Sequence, residues 1–256
     1  MDVAMLDSSL LSISQAFERY FALEIADTPA QLADVYRLRY KVYCAELHYE
    51  REEDCPGGRE RDLFDARSIH CLLRHRSSNR YAGTVRLVLA DRTVPEAVFP
   101  FESFCYGSLN QHGRALLQRP RTCLGEVSRL AVTADFRKRR GERSSAAGVP
   151  EGDGMTQMER RSVPLIALGL CLAATSLGMQ GGLDCIFAMM EPRLARHLRR
   201  FGIRFRQVGD LTDYHGTRGP FFISREQVLN ELNPDVKELL DYITSQIPLR
   251  SVPGFD

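Results

Sequence analysis

The sequence lacks a strong net charge, a long apolar run and any tryptophan. Its 34 lysines and arginines almost balance 33 aspartates and glutamates, which leaves a net charge of +1. Without a net field the chain has no general attraction for nucleic acid or an anionic membrane, so an electrostatic partner must meet a local patch. The most apolar stretch, Val163 to Met179, is short for a membrane span and contains Thr175 and Ser176. We interpret it as a buried helix, without stable membrane insertion.

Cysteine spacings typical of disulfide frameworks or zinc sites are also missing. The seven cysteines are odd in number, widely spaced and never arranged as Cys-x-x-Cys. His70, His112 and His197 are isolated in sequence, so we expect them to be structural or surface residues and expect no metal. The N-terminus lacks the basic start, apolar centre and small-residue cleavage site of a signal peptide. These patterns predict a protein of the reducing cytoplasm.

The chain is long enough, and at 44% apolar residues hydrophobic enough, to bury one large core. Apolar periodicity predicts these strands: Phe21–Ile25, Ile69–Arg74, Tyr81–Ala90, Cys123–Val132, Leu183–Met190, Ile203–Val208 and Pro220–Ser224. Helices alternate with them, so the order predicts an α/β (α+β) fold, a mixed sheet with helices on its faces. We expect a single domain over residues 1–256, with a mobile insertion at about 141–161 and a C-terminal helical extension at about 225–248.

Three arginines interrupt apolar patterns. Arg39 shares the apolar stripe of a helix, Arg86 interrupts a strand of valines and leucines, and Arg129 lies in the predicted central strand. A buried charge is costly unless it is paired, so these arginines predict carboxylate partners. The candidate partners are Glu60, Asp62, Asp65 and Glu126. A purely structural ion network is an alternative to a functional one.

The central strand carries charged residues on both faces. Alternation places Glu126, Ser128 and Leu130 on one face and Val127, Arg129 and Ala131 on the other. Glu126 and Arg129 are therefore not neighbours unless a bulge intervenes. We expect one of the two to look into a cleft.

A basic run follows this strand. Lys138, Arg139 and Arg140 precede Gly141, at a turn where basic side chains and free backbone N–H groups suit a phosphate. A pyrophosphate loop for coenzyme A needs a second small residue, but the acidic Glu142 comes next. The run therefore favours the phosphopantetheine of an acidic acyl carrier protein over coenzyme A. The alternative is a solvated basic turn.

Several short blocks occur in a fixed order. They are Arg39-Tyr-Lys-Val-Tyr43, Leu47-His-Tyr49, Glu60-x-Asp62-x-x-Asp65, Arg86, Glu126-x-Ser128-Arg129, Met190-Glu191-Pro-Arg193 and Leu198-Arg-Arg-Phe-Gly202. Over roughly residues 30 to 210 this set resembles the signature of the acyl-homoserine-lactone synthases. That family usually has Phe and Trp at the positions of Tyr43 and Tyr49. With the insertion and the longer C-terminal tail, this difference makes the chain look more like the sister branch, the long-chain N-acyl amino acid synthases and the acyltransferases associated with PEP-CTERM/exosortase systems.

The resemblance implies a GNAT-like acyltransferase fold of the autoinducer-synthase type, with a splayed central strand. The gap would hold the acyl-phosphopantetheine arm of acyl carrier protein, which is the donor substrate, and no other cofactor is implied. Transfer to an amine needs a base, for which Glu126 is the candidate. The oxyanion needs a donor, for which we expect a backbone N–H at Leu130 or Ala131, and Ser128 is a candidate contact to the pantetheine or thiol.

The resemblance also implies a pocket for an amino acid acceptor. Its expected residues are Arg39, Tyr43, Tyr49, Glu60, Asp62, Asp65, Arg86 and Arg129. The walls expected for the acyl chain are Leu165–Met179 and Phe187–Met190, where methionines adapt to irregular chains. The sequence thus predicts an enzyme that makes an N-acyl amino acid. Two alternatives are an acyl-homoserine-lactone synthase that uses S-adenosylmethionine and a non-catalytic sensor that binds acyl chains or carrier protein.

Overall fold

A single mixed sheet forms the centre of the protein in a computed structural model, which describes residues 11–137 and 163–249. Its strands are β1 (Phe21–Ile25), β2 (Ser68–His75), β3 (Arg80–Leu89), β4 (Leu124–Val132), β5 (Cys185–Met190), β6 (Arg206–Gln207), β7 (Thr212–Asp213) and β8 (Thr217–Ser224). The strand order is β1-β2-β3-β4-β5-β8-β6, and β7 pairs with β8. The pair β4 and β5 is parallel and the other pairs are antiparallel. The predicted mixed sheet is confirmed.

Helices cover both faces of this sheet. They are α1 (Ile13–Tyr20), α2 (Pro29–Tyr40), α3 (Pro100–Cys105), α4 (Gln111–Leu116), α5 (Pro164–Gln180), α6 (Pro192–Arg199), α7 (Arg225–Glu231) and α8 (Pro234–Gln246). The apolar α5 is buried along most of its length and packs on one face, with α1 and α8. The opposite face is covered by α2 and by α3. Among the described residues, no helix combines the length and apolar character needed to cross a membrane.

The helix that carries Arg39 begins at a capping box. The Thr28 side chain accepts from the backbone of Gln31, the Gln31 side chain accepts from the backbone of Thr28, and Pro29 occupies the first turn. After Tyr40 the helix continues as a π-helical turn, Lys41–Glu46. Such turns change the direction of side chains within a helix and are frequent at functional sites.

Some sequence predictions need correction and others stay open. The segment between β3 and β4, where the sequence analysis predicts no helix or strand, contains α3 and α4, which are six residues each and too short to show a periodicity. The strand predicted at 203–208 is reduced to β6. The C-terminal extension consists of α7 and α8. The insertion at 141–161 lies outside the described residues, and the single domain stays a prediction.

The central strands β4 and β5 separate after a short paired stretch. Leu124, Gly125 and Glu126 pair with β5, and no later residue of β4 does. Beyond Glu126, β4 continues against β3, while β5 continues against β8. The separation opens a gap between the end of β4 and the end of β5. The splayed central strand implied by the resemblance is therefore confirmed.

A β-bulge lies in β4 at the edge of this gap. Thr84 of β3 pairs with Ala131 and Arg86 pairs with Ser128, so two residues of β4 stand opposite one residue of β3. The first of the two, Arg129, has a left-handed backbone with φ 51°. A bulge of this kind adds one residue to a strand and changes the side on which the following side chains lie.

Two glycines with the same backbone conformation offer a test of packing near α6. Gly202, which follows α6, has φ 85°, and a Cβ there would lie 2.6 Å from backbone atoms of Glu231 and Asn233. Gly182 has φ 78° and no atom within 4 Å of such a Cβ. We expect Gly202→Ala to lower the free energy of unfolding by about 3 kcal/mol. Gly182→Ala should lower it by about 1 kcal/mol, the cost of the left-handed backbone alone.

Urea denaturation of both variants measures this difference. Equal losses of stability would show that the contacts of α6 with the chain at 231–233 do not restrict residue 202.

Candidate active site

Buried ion pairs join α2 to the acidic segment that follows it and to β3. Arg39 is fully buried and donates to Glu60 through Nε and to Asp65 Oδ1 through Nη1, the latter at 2.6 Å. Arg86 is also fully buried, and its Nη1 donates to Asp62 Oδ1 at 2.6 Å and to Asp65 Oδ1 at 2.7 Å. The predicted partnership between these arginines and the three carboxylates is confirmed.

The third arginine, Arg129, joins the same network from β4. Its Nε lies 3.2 Å from Glu60 Oε1, and its Nη2 lies 3.2 Å from Asp62 Oδ2. The same Nη2 lies 3.4 Å from Glu50 Oε1, a carboxylate that the sequence did not indicate. Arg129 is therefore surrounded by acids on several sides.

The bulge corrects the predicted alternation of side chains along β4. Glu126 and Ser128 share one face, as expected, and Arg129 lies on that face with them because the bulge intervenes. Leu130 was predicted on the face of Glu126, and this is wrong. It packs with Val127 into the core on the α5 side.

The electrostatics of this network favour ionised carboxylates. Burial opposes the ionisation of Asp65, but Arg39 and Arg86 outweigh it and hold the pKa of this carboxyl well below its ordinary value. Burial also lowers the pKa of the neighbouring His70 to about 4, so this histidine is neutral at pH 7. Its two ring nitrogens are buried and have no hydrogen-bond partner among the described residues. We interpret His70 as a structural residue, since Tyr36 packs edge-on against its ring.

Glu126 stands apart from the ion pairs, contrary to the prediction that it partners an arginine. Its side chain is buried, and Oε2 accepts a hydrogen bond of 2.8 Å from the backbone N–H of Phe101 at α3. Burial raises the pKa of Glu126 to about 8, against the opposing effects of that hydrogen bond, Arg86 and Arg129. Most of the carboxyl is therefore protonated at pH 7, and the ionised fraction that can act as a base grows as pH rises toward 8.

An apolar cavity of about 80 Å³ occupies the gap between β4 and β5. The residues that line this cavity but not the polar cavity beside it are Val127, Leu130, Cys171, Ala188, Met190, Glu191, Leu194 and Phe205. The expected acyl walls thus contribute Cys171 of α5 and the end of β5, while most of α5 belongs to the core.

A more polar cavity of about 60 Å³ lies beside it, on the face of the sheet that carries Glu126. Residues that line only this cavity are Tyr49, Glu50, Pro100, Phe101, Phe104, Glu126, Tyr214 and His215. The two cavities share Tyr43, Ser128, Arg129, Met189 and Arg218. Groups bound in the two cavities would therefore meet at the bulge of β4.

Comparison with known proteins identifies the fold that carries these cavities. A family model described as an acetyltransferase (GNAT) domain matches residues 38–145, the segment from the end of α2 through β4 and beyond. The chain has the GNAT fold. A search of curated proteins finds no significant sequence match.

Solved structures resemble the chain over most of its length. BjaI, described as a CoA-dependent acyl-homoserine lactone synthase with SAM and isopentyl-CoA, is 19% identical, with a TM-score of 0.55, over 88% of this chain and 89% of that one. TofI, described in a ternary complex with an inhibitor and MTA, is 17% identical, with a TM-score of 0.54, over 88% and 100%. FeeM, described as an N-acyl amino acid synthase from uncultured soil microbes, is 13% identical, with a TM-score of 0.53, over 83% and 94%. These findings confirm the resemblance in fold to the autoinducer synthases.

Within the GNAT fold, side chains fix the backbone where the two cavities meet. The Tyr43 hydroxyl, carried by the π-helical turn, donates to the carbonyl of Leu130 at 2.8 Å. Burial raises the pKa of Tyr43 to about 12, so the phenol stays protonated and remains a donor. The Ser128 hydroxyl accepts from Arg86 Nε at 3.0 Å. The peptide at Leu130 and the hydroxyl of Ser128 are thus held from the polar side.

The predicted site residues fall into three groups. Glu126, Leu130, Ser128, Tyr43, Tyr49 and Arg129 line the two cavities. Arg39, Glu60, Asp62, Asp65 and Arg86 lie behind them, as supports of Arg129 and Ser128. Lys138, Arg139 and Arg140, predicted to bind acyl carrier protein, lie outside the described residues.

Sequence reasoning missed Arg218, His215, Tyr214 and Glu50. Arg218 lies near the start of β8, between Thr217 and Gly219, where it interrupts no apolar run. The predicted strand began at Pro220, three residues after the observed start at Thr217, and so excluded it. His215 and Tyr214 lie in the tight turn before β8, where no local pattern distinguishes a site residue from an ordinary turn.

The ion network predicts a pH-dependent loss of stability. Asp65→Asn removes one of the buried charges and leaves Arg39 and Arg86 partly uncompensated, which should lower the free energy of unfolding by about 3 kcal/mol at pH 7. Because the folded-state pKa of Asp65 is depressed, its contribution is present above the unfolded value of 3.8 and is lost as pH falls through the folded value. The difference in the free energy of unfolding between variant and wild type should therefore become smaller in acid.

Chemical denaturation at pH 7 and pH 3 measures this difference in the free energy of unfolding. Asp34→Asn is the matched control, because Asp34 pairs with Arg37 on the surface at 2.5 Å and should contribute at most about 1 kcal/mol. If Asp65→Asn lowered the free energy of unfolding as little as Asp34→Asn does, the proposed stabilisation by the buried ion pairs would be contradicted.

Proposed function

We propose that this protein is an N-acyltransferase that moves a long acyl chain from acyl carrier protein to the amine of an amino acid. The observation that carries the proposal is the meeting of an apolar gap and a polar cavity at Ser128 and Arg129, with the buried carboxyl of Glu126 in the polar one. The GNAT family match supports an acyl transfer. The resemblance to FeeM supports an amino acid acceptor.

The gap suits a thioester donor. Beyond Glu126, β4 and β5 do not pair with each other, so their facing edges can accept the amides of an extended pantetheine arm. The apolar walls suit an acyl chain, and Met189 and Met190 can adapt to its shape. The donor thioester would then lie at the bulge, beside Ser128.

The chemistry needs a base and an oxyanion donor. Glu126, once ionised, takes the proton of the amine directly or through a water molecule, and the neutral amine attacks the thioester carbonyl. Negative charge develops on the carbonyl oxygen, where a backbone N–H at Leu130 or Ala131 would stabilise it. The C–N bond forms, the C–S bond breaks, and the pantetheine thiol leaves.

The ion network has a positioning role in this scheme. Arg39 and Arg86 are fully buried and paired, and neither lines a cavity, so they hold Arg129 and Ser128 in place instead of binding substrate. Arg129 itself lines both cavities. Because of the bulge at Arg129, β4 borders both the cavity proposed for the acyl donor and the cavity proposed for the amino acid acceptor.

Mass spectrometry of lipid extracts from cells that produce the protein tests the reaction. We expect fatty acyl amides of an amino acid with the wild type and none with Glu126→Gln, which keeps the shape of the side chain and removes its basicity. Acyl-homoserine lactones with methylthioadenosine would establish the alternative synthase instead. No new lipid from a folded protein supplied with acyl carrier protein would support the sensor alternative.

The raised pKa of Glu126 predicts a rate that depends on pH. With purified components, the wild-type rate should rise with pH and level off above about 8, because only the ionised carboxyl acts as a base. Glu126→Gln should lower the rate by about 100-fold and remove this dependence. The folded-state pKa is raised from 4.5, so the contribution of Glu126 to stability is greatest below that value and is lost as pH rises through 8.

The stability of Glu126→Gln at two pH values is a control for its folding. Glu126→Gln should be as stable as the wild type at pH 5 and more stable at pH 9, where the wild type must bury a carboxylate. An unchanged rate in a variant with this stability profile would remove Glu126 from the mechanism.

The choice of acyl carrier protein as donor has support from the surface beside the gap. Exposed arginines of α6 and the following segment, Arg196, Arg199, Arg204 and Arg206, line one depression, and Phe205 lines both this depression and the apolar cavity. A basic surface at the mouth of the gap suits an acidic carrier. The predicted roles of Lys138, Arg139 and Arg140 remain expectations from the sequence.

Reversing the charge of surface arginines distinguishes docking of acyl carrier protein from binding of the acyl-pantetheine arm alone. Arg196→Glu combined with Arg199→Glu should raise the KM for acyl carrier protein by about tenfold at low salt and less at high salt, where charges are screened. The KM for an acyl-pantetheine fragment should not change, since it has no protein surface. Arg37→Glu, on the exposed side of α2, is the control. An equal effect on both donors would indicate damage to the gap and not to a docking surface.

A further inference from the structure

Arg218 lies at the point where the two cavities meet, near the start of β8. It comes from β8, its side chain is 16% exposed, and it lines both the apolar and the polar cavity. Of the residues shared by the two cavities, Arg129 and Arg218 are the cations. The two differ in how fully their charges are matched by protein carboxylates.

The charge of Arg129 is matched by three carboxylates within 3.4 Å. Arg218 has one acidic neighbour in the ion pairs of the described residues, Glu191, and its Nη2 lies 3.9 Å from Glu191 Oε1, which is beyond hydrogen-bond distance. In the same described part of the chain, Arg218 Nε is buried without a hydrogen-bond partner. A buried donor left unpaired is costly, and a carboxylate is the group that satisfies a guanidinium best.

Aromatic side chains hold this guanidinium in place. The ring of Tyr49 lies under it, with 5.3 Å between the guanidinium carbon and the ring centroid. The ring of His215 stacks in turn on the ring of Tyr49, with 5.0 Å between the two ring centroids. His215 has a left-handed backbone with φ 52° in the tight turn that leads into β8. Arg218 is therefore a preorganised cation with an unused donor.

We infer that Arg218 binds the carboxylate of the acceptor and makes the protein select amines that carry one. The inference rests on the proposed acyl transfer, and it names the group by which the acceptor is recognised. A carboxylate on Arg218 places the amine of an α-amino acid in the same cavity as Glu126, beside Ser128 and the donor gap. Amines without a carboxylate leave Arg218 Nε unpaired and are rejected for that reason.

Binding of two product analogues tests the inference without turnover. N-lauroylglycine and N-lauroylglycinamide differ only in the carboxylate, and glycine is the smallest acceptor for a cavity of about 60 Å³. By isothermal titration calorimetry we expect the wild type to bind the acid about tenfold more tightly than the amide, in line with a charge-assisted hydrogen bond. Arg218→Met should remove this preference, and Arg218→Lys should restore part of it.

Arg37→Met, an exposed arginine on α2, should keep the full preference. Circular dichroism establishes that each variant is folded before titration. The inference is overturned if the wild type binds acid and amide equally, or if Arg218→Met keeps the tenfold preference.

Failure of the carboxylate site and failure of the proposed acyl transfer give different results. A preference that depends on Arg218 in a protein that transfers no acyl group overturns the proposed function and leaves the carboxylate site in place. Acyl transfer to amino acids with a preference that Arg218→Met does not change overturns the carboxylate site alone. In an active enzyme, Arg218→Met should also raise the KM for the amino acid more than the KM for the donor.

Discussion

Two fully buried arginines, a third that is partly buried, and the carboxylates around them hold the site together. Arg39, Arg86 and Arg129 come from a helix and two strands, and Glu60, Asp62 and Asp65 come from the segment between α2 and β2. A buried charge with a missing partner is strongly destabilising, so each element must take its place for the others to be stable there. The network therefore fixes α2 against β3 and β4 and anchors Arg129 at the bulge.

The bulge determines how one strand serves two environments. It places Ser128 and Arg129 on the polar face together, and it turns Leu130 toward the core beneath the gap. The apolar cavity and the polar cavity consequently touch along β4. The carboxyl of Glu126 lies on the same face, beside the aromatic residues of α3 and β5, and its burial raises its pKa to about 8.

Local pattern was sufficient for much of the fold. The capping box at Thr28, the apolar runs of β2 and β3 and the apolar run of α5 each encode an element within a few residues, and the structure has all of them. The short helices α3 and α4 escaped prediction because six residues give too few apolar positions to define a period. The separation of β4 from β5 was expected from family resemblance and not from any local pattern.

The sequence by itself determined that Arg39, Arg86 and Arg129 need carboxylate partners, because the cost of burying a charge applies wherever the chain folds. Only the tertiary structure decided which residues share a cavity. The register of β4 depends on a bulge, and one extra residue moves Arg129 to the face of Glu126 and Leu130 away from it. Arg218 reaches the same place from a strand far along the chain, through the pairing of β8 with β5. Such long-range pairings depend on packing between distant segments, and no local pattern encodes them.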